Sequence, residues 1–164
     1  MGSKDHFQSR STKVGTAFRR DCQDLLESIG YTFNQKRERL DEVGISVELI
    51  YENKYGVALF FEVAGTDEEE PASERPGLER TDTVKKIIAT AFLAHRATGR
   101  STIVLTSHIP NPDSSSGKML NLSGRYVIYD VINIYSDRGI EILKGYFNMD
   151  ERFFEQVNDD KSLF

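Results

Sequence analysis

The sequence predicts a single α/β domain, residues 1–164, in which a mixed central β-sheet is flanked by helices. Three observations predict this fold class. Apolar residues recur at helical spacing before a pair of strand-like segments, a second amphipathic helix follows that pair, and a short buried strand follows the second helix. Because a hairpin makes antiparallel strands and a crossover helix joins parallel ones, this order indicates a mixed sheet.

The first half of the chain contains a helix and a hairpin. Apolar side chains recur every three or four residues over Ser11–Ile29, and Gly30 is a typical C-terminal stop. The segments Ile45–Glu52 and Val57–Ala64 are rich in β-branched and aromatic residues and predict two strands. The Asn-Lys-Tyr-Gly sequence at 53–56 predicts the turn between them. The charged stretch between helix and hairpin favours no element.

The second half alternates helices, strands and polar loops. Residues 66–80 hold an acidic run, two prolines and a glycine, which indicates a surface loop of unusual length. Thr81-Asp82-Thr83 supplies caps for an amphipathic helix that Gly99 ends. The remaining predictions are a buried strand at Thr102–Thr106, a loop at Ser107–Gly117, a short helix at Lys118–Leu122, one long or two short strands at Tyr126–Tyr135, a helix at Asp137–Phe147 and a helical tail from Asn148.

Composition narrows the class of protein. The net charge is −5, from 21 basic and 26 acidic side chains, which disfavours a protein that coats nucleic acid by charge alone. No window approaches the ~20 apolar residues that span a bilayer, and the polar N-terminus lacks a signal peptide's apolar core. We therefore expect a cytoplasmic protein with no membrane contact. The single Cys22 excludes an internal disulfide framework and a cysteine zinc site.

Two glutamates on the predicted hairpin are the strongest chemical signal. If Lys54-Tyr55-Gly56 forms the loop, Asn53 pairs with Val57 and Glu48 lies directly opposite Glu62, with Cβ atoms about 5 Å apart. Like charges repel there, and Glu62 sits in an apolar run where an unpaired carboxylate is costly. A Mg²⁺ ion held by both carboxylates, a backbone carbonyl and water would offset both penalties.

Two alternatives stay open for this pair. In the first, Glu62 pairs with a lysine or arginine while Glu48 faces solvent. In the second, a two-residue turn shifts the register by one position and moves the two carboxylates apart.

An acidic residue on one strand, a second one inside the following apolar strand, and helices before and after resemble the core of the PD-(D/E)XK, or restriction-endonuclease-like, nucleases. The segments Gly15-Thr16-Ala17-Phe18 and 25–31 (LLESIGY) are similar to the first helix of many such domains. The resemblance covers most of residues 14–135. It implies a Mg²⁺-dependent DNA endonuclease, as in restriction or repair systems, with Glu48 and Glu62 as metal ligands and catalytic residues.

The sequence departs from that family at two places. The family's first acidic residue is usually Asp, which makes Asp41 an alternative to Glu48. Its Glu-x-Lys motif is here Glu62-Val63-Ala64, so the lysine that polarises the attacking water is missing. Some members carry this lysine on the next helix, where Lys85 and Lys86 are the catalytic candidates. Lys85 is favoured because it shares helical spacing with apolar neighbours and so flanks the sheet.

DNA contacts are predicted at two places. A helix N-terminus with nearby hydroxyls and cations binds phosphate readily, and short polar side chains beside a strand end suit contacts to phosphates or base edges. Solvated loops and caps are the plainer interpretation of both segments. The DNA-binding candidates are Arg75, Arg80, Thr83, Ser114, Ser115 and Lys118.

Two functional hypotheses follow, and each implies a binding partner. An active enzyme that cuts both strands of DNA needs two sites, so we expect a homodimer or a partner subunit, with contacts from aromatics in 126–135 or from Phe147, Phe153 and Phe154. Alternatively, a degenerate nuclease-fold module binds DNA or a protein partner without cutting. Ala64 favours that module, and so does the acidic run Asp67–Glu70, which repels a nucleic-acid backbone.

Overall fold

The computed structural model describes residues 4–34, 44, 46–66, 77–155 and 163, with side chains from residue 16 onward. The prediction of an α/β protein with a mixed sheet flanked by helices is confirmed. Within these described residues, five strands form one sheet in the order β1 (Thr32–Phe33), β2 (Leu49–Glu52), β3 (Ala58–Ala64), β4 (Thr102–Thr106) and β5 (Ile128–Asn133). The β1–β2 and β2–β3 pairs are antiparallel, and the β3–β4 and β4–β5 pairs are parallel.

Helices cover both faces of this sheet. Their bounds are α1 (Lys4–Ile29), α2 (Thr81–Thr98), α3 (Ser115–Ser123), α4 (Asp137–Phe147) and α5 (Glu151–Glu155), and a single 3₁₀ turn occupies Gly77–Glu79. Side chains of α1 and α4 join those of one sheet face in one core cluster, and side chains of α2 and α3 join the other face. On α1, Phe18, Cys22 and Leu26 are fully buried at the i, i+4 spacing that points them all at the sheet.

The predicted hairpin has the predicted register. Leu49 pairs with Phe61 and Glu52 with Ala58, and the backbone N–H of Asn53 donates to the carbonyl of Val57 at 3.1 Å. A single shifted residue would have turned every side chain of β2 to the other face, so the two-residue-turn alternative is excluded.

The turn is anchored by one buried amide. The Asn53 side chain donates to the carbonyls of Tyr146 (3.1 Å) and Met149 (2.7 Å) and accepts from the N–H groups of Tyr55 (3.0 Å) and Val57 (3.1 Å). These bonds use the side chain's donors and acceptor to tie the turn to the end of α4. The hairpin register is therefore held by tertiary contacts as well as by the turn sequence.

Several helices and strands have boundaries that differ from the predicted ones. Helix α1 begins at Lys4 rather than Ser11, since no proline or glycine interrupts residues 4–14. Helix α3 begins at Ser115 rather than Lys118, because Ser114 caps it. The 126–135 segment forms one strand of six residues, β5, and strand β1 in the charged stretch was not predicted. The predictions at Asp41, Arg75 and Asp67–Glu70 lie outside the described residues.

Gly99 ends α2 in the left-handed conformation (φ 73°), with its N–H bonded to the His95 carbonyl at 2.7 Å, as predicted from the sequence. Within the described part of the chain, no helix is both long enough and apolar enough to cross a bilayer.

Candidate active site

Glu48 and Glu62 meet where the β2–β3 ladder ends. Beyond the Leu49–Phe61 pair the backbone of β2 turns away, and side chains replace the missing backbone bonds. The N–H of Glu48 donates to Oε1 of Glu62 at 3.2 Å, and the N–H of Val63 donates to Oε2 of Glu48 at 3.4 Å. Each carboxylate therefore binds the backbone next to the other, and the predicted juxtaposition is present.

Glu62 is the buried member of the pair. It is 8% exposed, and burial, together with the charge of Glu48, raises its pKa from 4.5 to about 7. The bond from the Glu48 N–H and the charges of Lys86 and Arg19 oppose this rise without cancelling it. A buried carboxylate with so little compensation is a place where a bound cation would be stabilising.

Glu48 forms an ion pair with Arg19 of α1, which the sequence analysis did not predict. Its Nη1 lies 3.3 Å from Oε1 of Glu48, and its Nη2 donates to the Glu48 carbonyl at 3.0 Å. The alternative in which Glu62 forms the ion pair and Glu48 faces solvent is therefore wrong, because the ion pair is made by Glu48. Both charged groups are about one-third exposed, so the pair orients Glu48 more than it stabilises the fold.

The structure also reverses the order of preference between the two lysines. Lys86 lies close enough to Glu62 for its charge to lower the pKa of that carboxyl. Lys85 lines a separate groove with Ile88 and Phe92. These apolar neighbours therefore place Lys85 on a different side of α2 from the side that Lys86 presents to Glu62. Lys86 is exposed and therefore free to move toward the carboxylates.

Ala64, at the family's lysine position, is buried. It is 5% exposed, belongs to the cluster on the α2 side, and pairs with Thr106 of β4. Its carbonyl oxygen would lie 2.5 Å from a Cβ added to Gly77, so the 3₁₀ turn covers this end of β3 closely. A lysine at this position would therefore have to fit into a closely packed part of the core.

The predicted DNA contacts divide into two groups. Parallel strands β3 and β4 end at the same edge of the sheet, and the segments leading to α2 and α3 start there. Arg80 and Thr83 lie at the start of α2, and Ser115 and Lys118 lie at the start of α3. Thr83 is half-buried, and the other side chains of this set are exposed. Ser114 is committed elsewhere: its hydroxyl donates to the Asn111 carbonyl at 2.6 Å and accepts from the N–H of Gly117 at 3.1 Å.

The donor set defines what ion the pair could hold. Among the described residues, no group of three or more His, Cys, Asp and Glu side chains is arranged around a common point. The pair offers oxygen ligands only, with lone pairs left over after the hydrogen bonds above. Two carboxylates completed by a carbonyl and several waters suit Mg²⁺, which keeps much of its hydration shell, and do not suit zinc.

Comparison with models of known families, with curated proteins and with solved structures finds no significant match of any of the three kinds. The geometry of the site is therefore the basis for any functional assignment.

Proposed function

We propose that the chain is a Mg²⁺-dependent DNA endonuclease with a restriction-endonuclease-like core. The observation that carries the proposal is the meeting of Glu48 with a buried Glu62 whose pKa is raised to about 7. A purely structural pair would gain by replacing one carboxylate with a neutral group, because a like charge opposite a buried carboxylate is costly.

The order of elements supports the same assignment. One helix, three antiparallel strands, a crossover helix and a parallel strand follow each other along the chain. The resemblance to PD-(D/E)XK nucleases implies two strands that carry the acidic residues and a helix before and after them, and here Glu48 directly precedes β2 and Glu62 lies inside β3.

Each nearby side chain then has a role. Glu48 and Glu62 hold the ion, Arg19 orients Glu48 through its carboxylate and carbonyl, and Lys86 polarises the attacking water. When bound, Mg²⁺ lowers the pKa of that water and neutralises charge on the phosphodiester. Arg80, Thr83, Ser115, Lys118 and Arg75 are the candidates for contacts to the DNA backbone.

A second candidate is a nuclease-fold module that binds DNA or a protein partner without cutting. The observation that favours it is the burial of Ala64, which leaves no lysine on β3 next to Glu62. In this version Lys86 and the helix starts bind phosphate, and the carboxylate pair closes the β2–β3 ladder.

Cutting both DNA strands would require a second copy or a partner subunit. The proposed contact surface is narrower than the sequence predicts: Phe147 packs on Tyr31 (5.1 Å between ring centroids) and Phe154 on Tyr129 (5.5 Å). Of the predicted contact aromatics, Phe153 and Tyr126 are the exposed ones, each at 42%.

The test is DNA cleavage by the wild type, Glu62→Gln and Glu52→Gln with Mg²⁺ or Mn²⁺. Glu52 is the matched control, because it is a half-buried glutamate on β2 that bonds Asn34 (3.3 Å). The nuclease proposal predicts that cleavage is lost only in Glu62→Gln. Full activity in Glu62→Gln would refute it. A metal-independent mobility shift with no cleavage by any variant would instead establish the binding module.

A further inference from the structure

An apolar groove lies between α2 and the segment that leads into β5. Its volume is about 410 Å³, and it is lined by apolar side chains of α2 together with Tyr126 and Val127. The Phe92 side chain of α2 is 46% exposed and that of Tyr126 is 42% exposed. Two aromatic rings left half open on one concave surface indicate a binding site.

The Tyr126 ring is held in place although it is half open. The His95 ring meets it at a steep angle, with 5.5 Å between the ring centroids, and a Cβ added to Gly124 would lie 2.7 Å from its Cε1 atom. The Tyr126 carbonyl accepts a hydrogen bond from the Ser101 hydroxyl at 2.6 Å. A flat ring that is fixed before a ligand arrives loses little conformational entropy on binding. Tyr126 is therefore suited to stack against a planar group.

The local charge indicates which planar group fits. Residues 81–127, which include α2, α3 and the groove, carry six basic and two acidic side chains, a net charge of +4 in a chain whose net charge is −5. Such a local positive surface attracts a phosphate backbone even when the whole protein is acidic. Planar groups carried on a negatively charged backbone are the bases of a nucleic acid.

Basic side chains of α2 are aligned with the groove. Lys85 lines the groove, and Arg96 lies 11 positions further along the helix, within about 20° of three full turns and about 16 Å away along the axis. Arg96 therefore follows Phe92 on the same side of α2. Both cations are exposed, and within the described part of the chain neither forms an ion pair. The half-open Phe92 ring thus has an available positive charge on either side along the helix.

We propose that this groove binds single-stranded DNA, whose bases stack on Phe92 and Tyr126. The phosphates of that strand lie beside Lys85 and Arg96. Aromatic side chains beside a positively charged path bind single strands because every base has a face on which a ring can stack. In a duplex those faces are stacked on one another and do not reach the groove. The site goes beyond the proposed nuclease function, since it needs neither the carboxylate pair nor a metal ion.

The experiment measures fluorescence anisotropy of a labelled oligothymidine and of its duplex with oligoadenine, with EDTA present so that cleavage plays no part. Phe92→Ala should weaken binding of the single strand roughly 10-fold, the usual size for loss of one stacked base, and leave binding of the duplex unchanged. Tyr55→Ala is the matched control, because Tyr55 is a 56% exposed aromatic in the β2–β3 turn, and it should change neither affinity.

Two further readouts separate base stacking from phosphate contact. Phe92→Trp and Tyr55→Trp each introduce the chain's only tryptophan. Stacking on a base quenches indole emission, so oligothymidine should quench Phe92→Trp and leave Tyr55→Trp unchanged. Arg96→Gln should reduce the slope of log affinity against log salt concentration by about 0.7, as expected for one lost phosphate contact to a single strand.

Four results would overturn the proposal. Equal single-strand affinity of wild type and Phe92→Ala would place the DNA elsewhere. An equal loss of duplex affinity in Phe92→Ala would contradict selection of a single strand. Absence of single-strand binding by the wild type at low salt would leave the groove to another occupant, such as a small apolar ligand. Self-association that Phe92→Ala abolishes and oligothymidine does not affect would assign the groove to a second copy of the chain.

Discussion

Replacing Glu62 by glutamine should change the pH dependence of stability in a defined direction. In the folded chain, burial and then the charge of Glu48 raise the pKa of Glu62 from 4.5 to about 7. Between these two values the folded state holds a proton that the unfolded state has lost, so wild-type stability falls as pH rises. The contribution is fully present below pH 4.5 and is lost as pH passes through about 7.

The size of this change in stability follows from the shift in the pKa of Glu62. A rise of about 2.5 units, at about 1.4 kcal/mol per unit, corresponds to about 3 kcal/mol of stability lost by pH 8. Glutamine keeps an oxygen that can accept from the Glu48 N–H and carries no charge at any pH. The free energy of unfolding of Glu62→Gln, relative to wild type, should therefore increase by about 3 kcal/mol from low to high pH.

Urea unfolding between pH 4.5 and 8.5 measures this difference. Glu52→Gln, measured in parallel, should follow the wild-type curve. Millimolar Mg²⁺ at pH 8 should stabilise the wild type and leave Glu62→Gln unchanged, because a ligand stabilises only a state that binds it. Parallel pH curves for wild type and Glu62→Gln would refute the claim that Glu62 is an uncompensated buried carboxylate.

Substitutions at four further positions test neighbouring parts of the site and of the fold. Lys86→Ala should reduce DNA cleavage by roughly 10²-fold or more, the usual size for loss of a group that acts on a reacting proton, whereas Lys85→Ala should cleave at nearly the wild-type rate; equal losses would contradict the assignment. Arg19→Ala should weaken Mn²⁺ binding roughly 10-fold, as loss of a ligand-orienting partner does, with Arg19→Lys intermediate in calorimetry. Asn53→Ala should lower the free energy of unfolding by about 3 kcal/mol in urea titration, because it removes four hydrogen bonds to buried or half-buried backbone groups; a loss under about 1 kcal/mol would show that water replaces the amide.

The hairpin could be predicted from the sequence because the residues that determine its register lie close together along the chain. The turn at 53–56 sets the pairing, and a period of two then places Glu48 opposite Glu62. The end of α2 at Gly99 was likewise visible as a cap. The caps predicted at Thr81-Asp82-Thr83 are wrong, because these residues lie inside the helix and the N-cap position is Arg80, which makes no side-chain cap hydrogen bond. Ser114 carried a usable signal too, since a serine three residues before a glycine-containing helical turn can cap it.

The rest of the site depends on contacts between distant elements. Arg19 meets Glu48 across 29 positions of sequence, and nothing local marks it among the other charges of α1. Lys85 and Lys86 differ by only one step around α2, about 100°. Apolar spacing marks the covered side of a helix without saying what covers it, so the groove beside Lys85 was mistaken for the sheet side.

The most direct test of the central claim is a calorimetric titration of Mn²⁺ in the presence of duplex DNA, with wild type, Glu62→Gln and Glu52→Gln compared. The account predicts that wild type and Glu52→Gln bind the ion and that Glu62→Gln does not. Equal binding by wild type and Glu62→Gln, or no binding by the wild type even with DNA present, would contradict a metal centre at the end of the β2–β3 ladder.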